Sequence, residues 1–311
     1  MSQAPVTSSG PWTLAWRRLK RNRAAIIGLF IVVLMALLAV FGPLLIKLTY
    51  GYTYESISGP QFTAPCLAHP FGTDIHGRDL LVRVLHGARV SLAVGLVGAF
   101  VSLSFGVIYG MVSGYSGGKV DETMMRFVDI LYAMPRLVFV IVLIAALDKS
   151  VVRLLDFMHL SDYSGYGRII LLFIGLGIVE WLTMSRIVRG QVLALKERQF
   201  VMASRSLGAS TPRIIFRHLL PNLVGVVITY MTLTVPVVIL EESFLSFLGL
   251  GIQAPLSSWG SLIADGASVI NPITSYWWIL VFPAATMTIT LLSLNFLGDG
   301  LRDVFDPKSQ K

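Results

Sequence analysis

Six apolar stretches, at roughly 24–46, 90–113, 127–147, 169–187, 223–241 and 277–298, limit this chain more than any other feature. A helix needs about 20 apolar residues to cross some 30 Å of hydrocarbon. Backbone polar groups in hydrocarbon must satisfy one another, which leaves helices as the simplest spanning form for such runs. The expected fold is an all-α integral membrane protein with six transmembrane helices. The third stretch has the shortest apolar core: Leu137 to Leu147 cannot span alone, so it has to recruit Phe127 to Ala133 and carry Pro135 as a kink. Composition agrees, with 55% hydrophobic and 14% charged residues where a soluble domain is about a quarter charged.

Lys and Arg set the orientation. Arg17, Arg18, Lys20, Arg21 and Arg23 precede a first stretch too long for the 7–15 residue core of a signal peptide, so it is read as an uncleaved span. Trp12, Trp16 and Leu19 fall on one face ahead of it, as in a short helix lying in the interface. An even number of spans puts both termini on one side. That side also holds Lys119, Arg126, Arg136, the cations from Arg186 to Arg217, and Arg302, Lys308 and Lys311. Lys47, Arg78, Arg83, Arg89, Lys149, Arg153 and Arg168 fall opposite. The richer side is expected to be cytoplasmic. The chain then divides into a cytoplasmic N-terminal segment (1–23), a six-helix transmembrane domain (24–300) and a cytoplasmic tail (301–311). Three long external connections are expected at about 47–89, 148–168 and 242–276. The formal net charge of +8 is accounted for by these flanks, so membrane lipid and not nucleic acid is the expected surrounding. Cys66 is the single cysteine, which excludes an internal disulfide.

Enzyme motifs fail on context. "GYSGG" at 114–118 fits the hydrolase nucleophile pattern, but a membrane helix and not a strand precedes it. "SGGK" at 116–119 lacks the spacing of a phosphate loop. The histidines 69, 76, 86, 159 and 218 show no zinc spacing. No metal site, catalytic residue or bound cofactor is expected. Intramembrane carboxylates are costly and commonly line a path. Glu180, inside the fourth stretch, and Glu242, closing the fifth beside Glu241, are therefore candidates for a substrate path or gate.

The segment from about 188 to 221 is the most distinctive. It reads as two short helices about a hinge: the first ends near Leu207, Gly208 stops it, Thr211 caps the second and Pro212 occupies its first position. Pro221 then opens the fifth span. Ala203 and Ser204 allow close approach by another protein, Leu207, Ile214 and Ile215 offer apolar anchors, and Arg205, Arg213 and Arg217 offer rim charges.

These residues resemble the "EAA" coupling motif of ABC importer permeases, with Met202-Ala203-Ser204 at the triplet, Gly208 at the expected offset, and Leu220-Pro221 closing "HLLP". Met202 stands where the family has Glu, and Ser204 replaces its second Ala. "FGTDIHGRDLLVRVLHGARVSL", "GYSGGKVDETMMRFVDIL", "SRIVRGQVLALKERQFV", "EESFLSFLGLGIQAPLSSWGSLI" and "LNFLGDGLRDVFDPK" are similar to C-type permeases of the dipeptide, oligopeptide and nickel group, leaning to the oligopeptide branch. The resemblance implies a type I ABC importer permease in the bacterial cytoplasmic (inner) membrane, working with a homologous B-type permease, two ATP-binding-cassette ATPases and an extracytoplasmic solute-binding protein. ATP and Mg would be bound by the ATPases alone. Met202, Ala203, Ser204, Leu207, Gly208, Arg213, Leu220 and Pro221 would form the ATPase-coupling surface. The same architecture also serves nickel or glutathione-like substrates, and an ion-coupled carrier is the alternative of a different class.

Overall fold

In a computed structural model, residues 11–157, 164–252, 256–271 and 273–305 are described. Among them the chain is helical, with no extended strands. The elements are α1 (Pro11–Arg21), α2 (Arg23–Tyr50), α3 (Leu80–Ser116), α4 (Gly118–Tyr132), α5 (Arg136–Phe157), α6 (Ser164–Lys196), α7 (Gln199–Ser206), α8 (Thr211–Ile214), α9 (Leu220–Phe247), α10 (Trp259–Ser268) and α11 (Trp277–Phe305). Among the described residues, five helices are long and apolar enough to cross a membrane, and α4 with α5 makes a sixth span only as a bent pair. Residues 1–10 of the N-terminal segment, 306–311 of the tail and part of the 148–168 connection lie outside the described residues. Where that connection is described it is mostly helix, because α5 runs on to Phe157 and α6 begins at Ser164.

The third span departs from a single kinked helix. Its halves meet at 83°. Pro135 disfavours helical geometry at Met134, so α4 stops at Tyr132 and α5 restarts at Arg136.

Small residues hold the bundle together. Gly106, Gly110 and Gly114 recur every fourth residue along α3 and face Met184, Ser185, Val188 and Val192 of α6. A Cβ at Gly110 would lie 2.5 Å from the Ser185 carbonyl oxygen, so only glycine lets the two backbones come this close. Three apolar cores follow along the bundle. One, with Trp259, Trp278 and Ile279, lies at the end carrying residues 51–79 and α10. A second, with Val140, Leu172 and Leu176, joins α5 to α6. The third, with Val188, Val192, Val201, Ile214 and Leu219, lies under α7 and α8 at the opposite end. At that same end Leu19 of α1 is buried against Ala25 and Val304.

The "FGTDIHGRDLL" motif builds the start of α3. Asp79 caps the helix, accepting the Val82 N–H at 3.1 Å, and its other oxygen meets buried His69 Nδ1 at 2.8 Å. Asp74 accepts the N–H groups of His76 and Arg78 at 2.8 and 2.9 Å. Its second oxygen accepts from Arg78 Nε at 2.7 Å and Arg83 Nη1 at 2.6 Å.

Candidate functional site

The 188–221 segment differs from two helices about a hinge in three ways. First, α6 runs through Lys196, so much of the expected loop is a rigid extension of the fourth span, and the first break comes at Glu197–Arg198. Second, the α8 cap is Ser210 and not Thr211, and Ser210 makes no side-chain capping bond. Third, Pro221 does not open a new span. The helix is continuous from Thr211 to Phe247, passing through a π turn at Ile215–Leu219. Proline supplies the physical reason: Pro221 has no N–H to give and its ring crowds the carbonyl four residues back. The register widens, the Leu220 N–H reaches the Ile215 carbonyl, and the Asn222 side-chain amide donates to the His218 carbonyl at 2.6 Å.

The result is a short knob joining the ends of α6 and α9. Gly208 ends α7 at φ +80°, a left-handed conformation that glycine adopts at no steric cost. The Gly208 and Ala209 N–H groups donate to the Arg205 and Ser204 carbonyls. Leu207 projects at the tip, 88% exposed, and Met202 is 47% exposed. Ala203, Arg213 and Pro221 are exposed, and Ser204 and Leu220 are half-buried. Ile214 is only 1% exposed and packs inward with Val201 and Leu219, so it is no anchor for another protein.

Below the knob, Asp121 of α4 joins neighbouring helices. Arg189 Nη2 and Nε both donate to its carboxylate, and so does Ser113 Oγ. This one carboxylate ties α3, α4 and α6 together. Neither Asp121 nor Arg189 stood out in the sequence beyond its motif; the opposite charges in two separate motifs were the available signal.

Farther along the bundle a charged cluster joins α5, α6 and α9. Arg136 Nη1 donates to Glu180 Oε1 at 2.8 Å and lies 4.0 Å from Glu241 Oε1. Arg136 Nη2 donates to the Tyr132 hydroxyl at 2.8 Å, and the Tyr132 ring carries the Arg186 guanidinium over its face at 4.1 Å. Arg136 thus sits beside Glu180 of α6 and shares the Tyr132 ring with Arg186. The Arg136 side chain is 36% exposed. Glu241 Oε2 is buried without a hydrogen-bond partner. Glu241 also lines an open groove of about 470 Å³ with Leu137, Leu240, Phe244, Phe247 and Met287.

Glu242 is placed differently from its neighbour. It has no exposed surface. Ser246 Oγ donates to it at 2.6 Å, with Ser91 and Ser243 hydroxyls at 3.5 Å. Ser91 Oγ in turn accepts the Trp259 N–H at 3.1 Å. The carboxylate therefore knits α3, α9 and the start of α10, and of the two neighbours only Glu241 lines the open groove.

Two known families match the chain. Residues 106–311 match the binding-protein-dependent transport system inner membrane component, and residues 10–65 match the N-terminal TM domain of oligopeptide transport permease C. The chain is 45% identical over 297 residues to the dipeptide transport system permease protein DppC of Bacillus subtilis, covering 96% of this chain and 86% of that one. It is 46% identical over 301 residues to the oligopeptide transport system permease protein OppC of Escherichia coli K12, covering 96% and 92%. A knob at one end of an apolar helix bundle, with a charged cluster along the helices it joins, is thus found in a chain that belongs to the family of binding-protein-dependent transport system inner membrane components.

Proposed function

We propose that the chain is one permease subunit of an ATP-driven peptide importer of the cytoplasmic membrane. It would pair with a homologous B-type permease, receive peptides from an extracytoplasmic binding protein, and couple through its knob to one of two ATPase subunits, the other docking on the partner permease; the ATPases alone bind ATP and Mg. The observation that carries this is mechanical. The knob links the ends of α6 and α9, and those two helices bear Glu180 and Glu241, which Arg136 of α5 bridges. A displacement of the knob by an ATPase moves the two helices relative to each other and so opens or closes the charged wall. Leu207, with Met202, Ala203, Ser204, Gly208 and Arg213, forms the docking tip; Leu220 and Pro221 transmit through the π turn. With Met202 in place of an acidic residue, docking relies on apolar contact and backbone fit.

Along the wall, Glu241 offers a carboxylate beside apolar surface, which suits the ammonium end and side chains of a peptide. Glu180 holds Arg136 in place, and Glu242 positions Glu241 by anchoring the turn of α9 that carries both. Replacing Leu207 by Asp in the assembled, reconstituted transporter is expected to cut peptide uptake and peptide-stimulated ATP hydrolysis at least tenfold, about the cost of a lost interface hot spot, with membrane insertion unchanged. Undiminished uptake would remove the knob from the coupling path. Uptake that survives inactivation of the ATPases but collapses with an uncoupler would show an ion-coupled carrier instead.

A further inference from the structure

A cavity of about 580 Å³ opens between α2, α3 and α6, away from the charged wall. Lys47 and Arg89 line it together with the rings of His86 and Tyr54 and the apolar side chains of Leu44, Val90 and Phe173. Lys47 follows the apolar run of α2, and Arg89 precedes the apolar run of α3. Both therefore stand where a membrane changes from hydrocarbon to headgroups. Both are exposed, and neither forms an ion pair among the described residues. His86 is 8% exposed, yet its buried Nδ1 meets no hydrogen-bond partner. Its ring is clamped by Tyr54 at a centroid distance of 3.7 Å. Glu55 is an acidic neighbour of His86; with it counted, two free cations still outweigh one carboxylate.

A cationic mouth above an apolar slot fits one class of ligand: an amphiphile with an anionic head. We propose that this cavity binds an anionic phospholipid of the leaflet at this end of the bundle. Its phosphate lies between Lys47 and Arg89, and an acyl chain runs along Val90 and Ala93 towards Phe173. The bound lipid wedges α2 against α3 at the point where the 51–79 segment begins.

The test uses the assembled transporter in nanodiscs of phosphatidylglycerol or of phosphatidylcholine, with retained lipid counted by native mass spectrometry after transfer to detergent. Phosphatidylglycerol is expected to be retained and phosphatidylcholine lost. The exposed double variant Lys47→Gln/Arg89→Gln is expected to lower phosphatidylglycerol retention roughly tenfold, in line with the loss of two cations at a headgroup. Ala93→Phe, which fills the slot and keeps both cations, is expected to lower it as well. Melting temperature and co-purification of the partner permease confirm that each variant is folded. Equal retention of the two lipids, or wild-type retention in either variant, overturns the proposal. Displacement of the lipid by millimolar glycerol phosphate would do the same, since it would mark a site for free phosphate.

Discussion

Asp74 shows how far one side chain can organise a membrane protein outside its membrane. Burial by itself would push its carboxyl up, but the N–H of Arg78, the charge of Arg83, the N–H of His76 and the charge of Arg78 together hold it below the usual carboxylate range. A depressed folded value stabilises the protein above the unfolded pKa of about 3.9, and that contribution is lost as pH falls through the folded value. Through Asp74 the melting temperature of the purified protein is therefore expected not to change with pH around neutrality and to decline below about pH 4. Asp74→Asn leaves Arg83, 5% exposed, with only Asp265 at 3.4 Å, and should cost about 3 kcal/mol, as breaking a buried pair does. An unchanged melting curve for that variant would show that the network is ornamental to stability. In the sequence, Asp74 was visible as part of a motif, but Asp265 lies 182 residues beyond Arg83, and no local pattern announces such a partner.

Between helices, proline and glycine decide where the chain bends. Pro135 turns one span into two halves at 83° and thereby brings Arg136 round to Glu180. Pro221 loosens α9 into a π turn without ending it, a form that recurs at functional sites. Gly208 provides the reversal of the knob. Gly208→Pro cannot reach φ +80° and loses the N–H bonded to Arg205. It is expected to reduce stimulated ATP hydrolysis and uptake to background while the spans stay inserted. Gly208→Ala, which strains the backbone by roughly 1 kcal/mol, should give an intermediate rate. Wild-type rates in the proline variant would place the coupling hinge elsewhere, at Glu197–Arg198. The positive-φ glycine was legible in the sequence because its signal is local. The extension of α6 through Lys196 was not, because a basic run reads equally well as loop or as helix leaving the membrane.

On the scale of the whole molecule, the chain is a bundle with a polar network and α10 at one end and a knob at the other, and its two ends must face different compartments. Cys66, exposed and the single cysteine, reports on this directly. A membrane-impermeant maleimide is expected to label it in intact spheroplasts and not in sealed inside-out vesicles. The reverse pattern would invert the topology and put the knob beyond the reach of any cytoplasmic ATPase. The prediction depends on the Lys and Arg bias alone, which puts the N-terminal and knob clusters on the same side.

The number and rough extent of the apolar spans, the glycine stop at 208, the membrane class of the chain and its motifs were properties of the sequence by itself. Hydrophobic length, turn chemistry and charge bias act within a few residues of where they are written. Tertiary structure alone decided which carboxylate faces the groove. Glu241 and Glu242 are adjacent and chemically identical, and only the placement of Ser91, Ser246 and Trp259 around one and of Arg136 beside the other separates a structural tie from an open wall. Successive helical residues point about 100° apart, so a one-residue difference becomes a choice between interior and surface once neighbouring helices have packed.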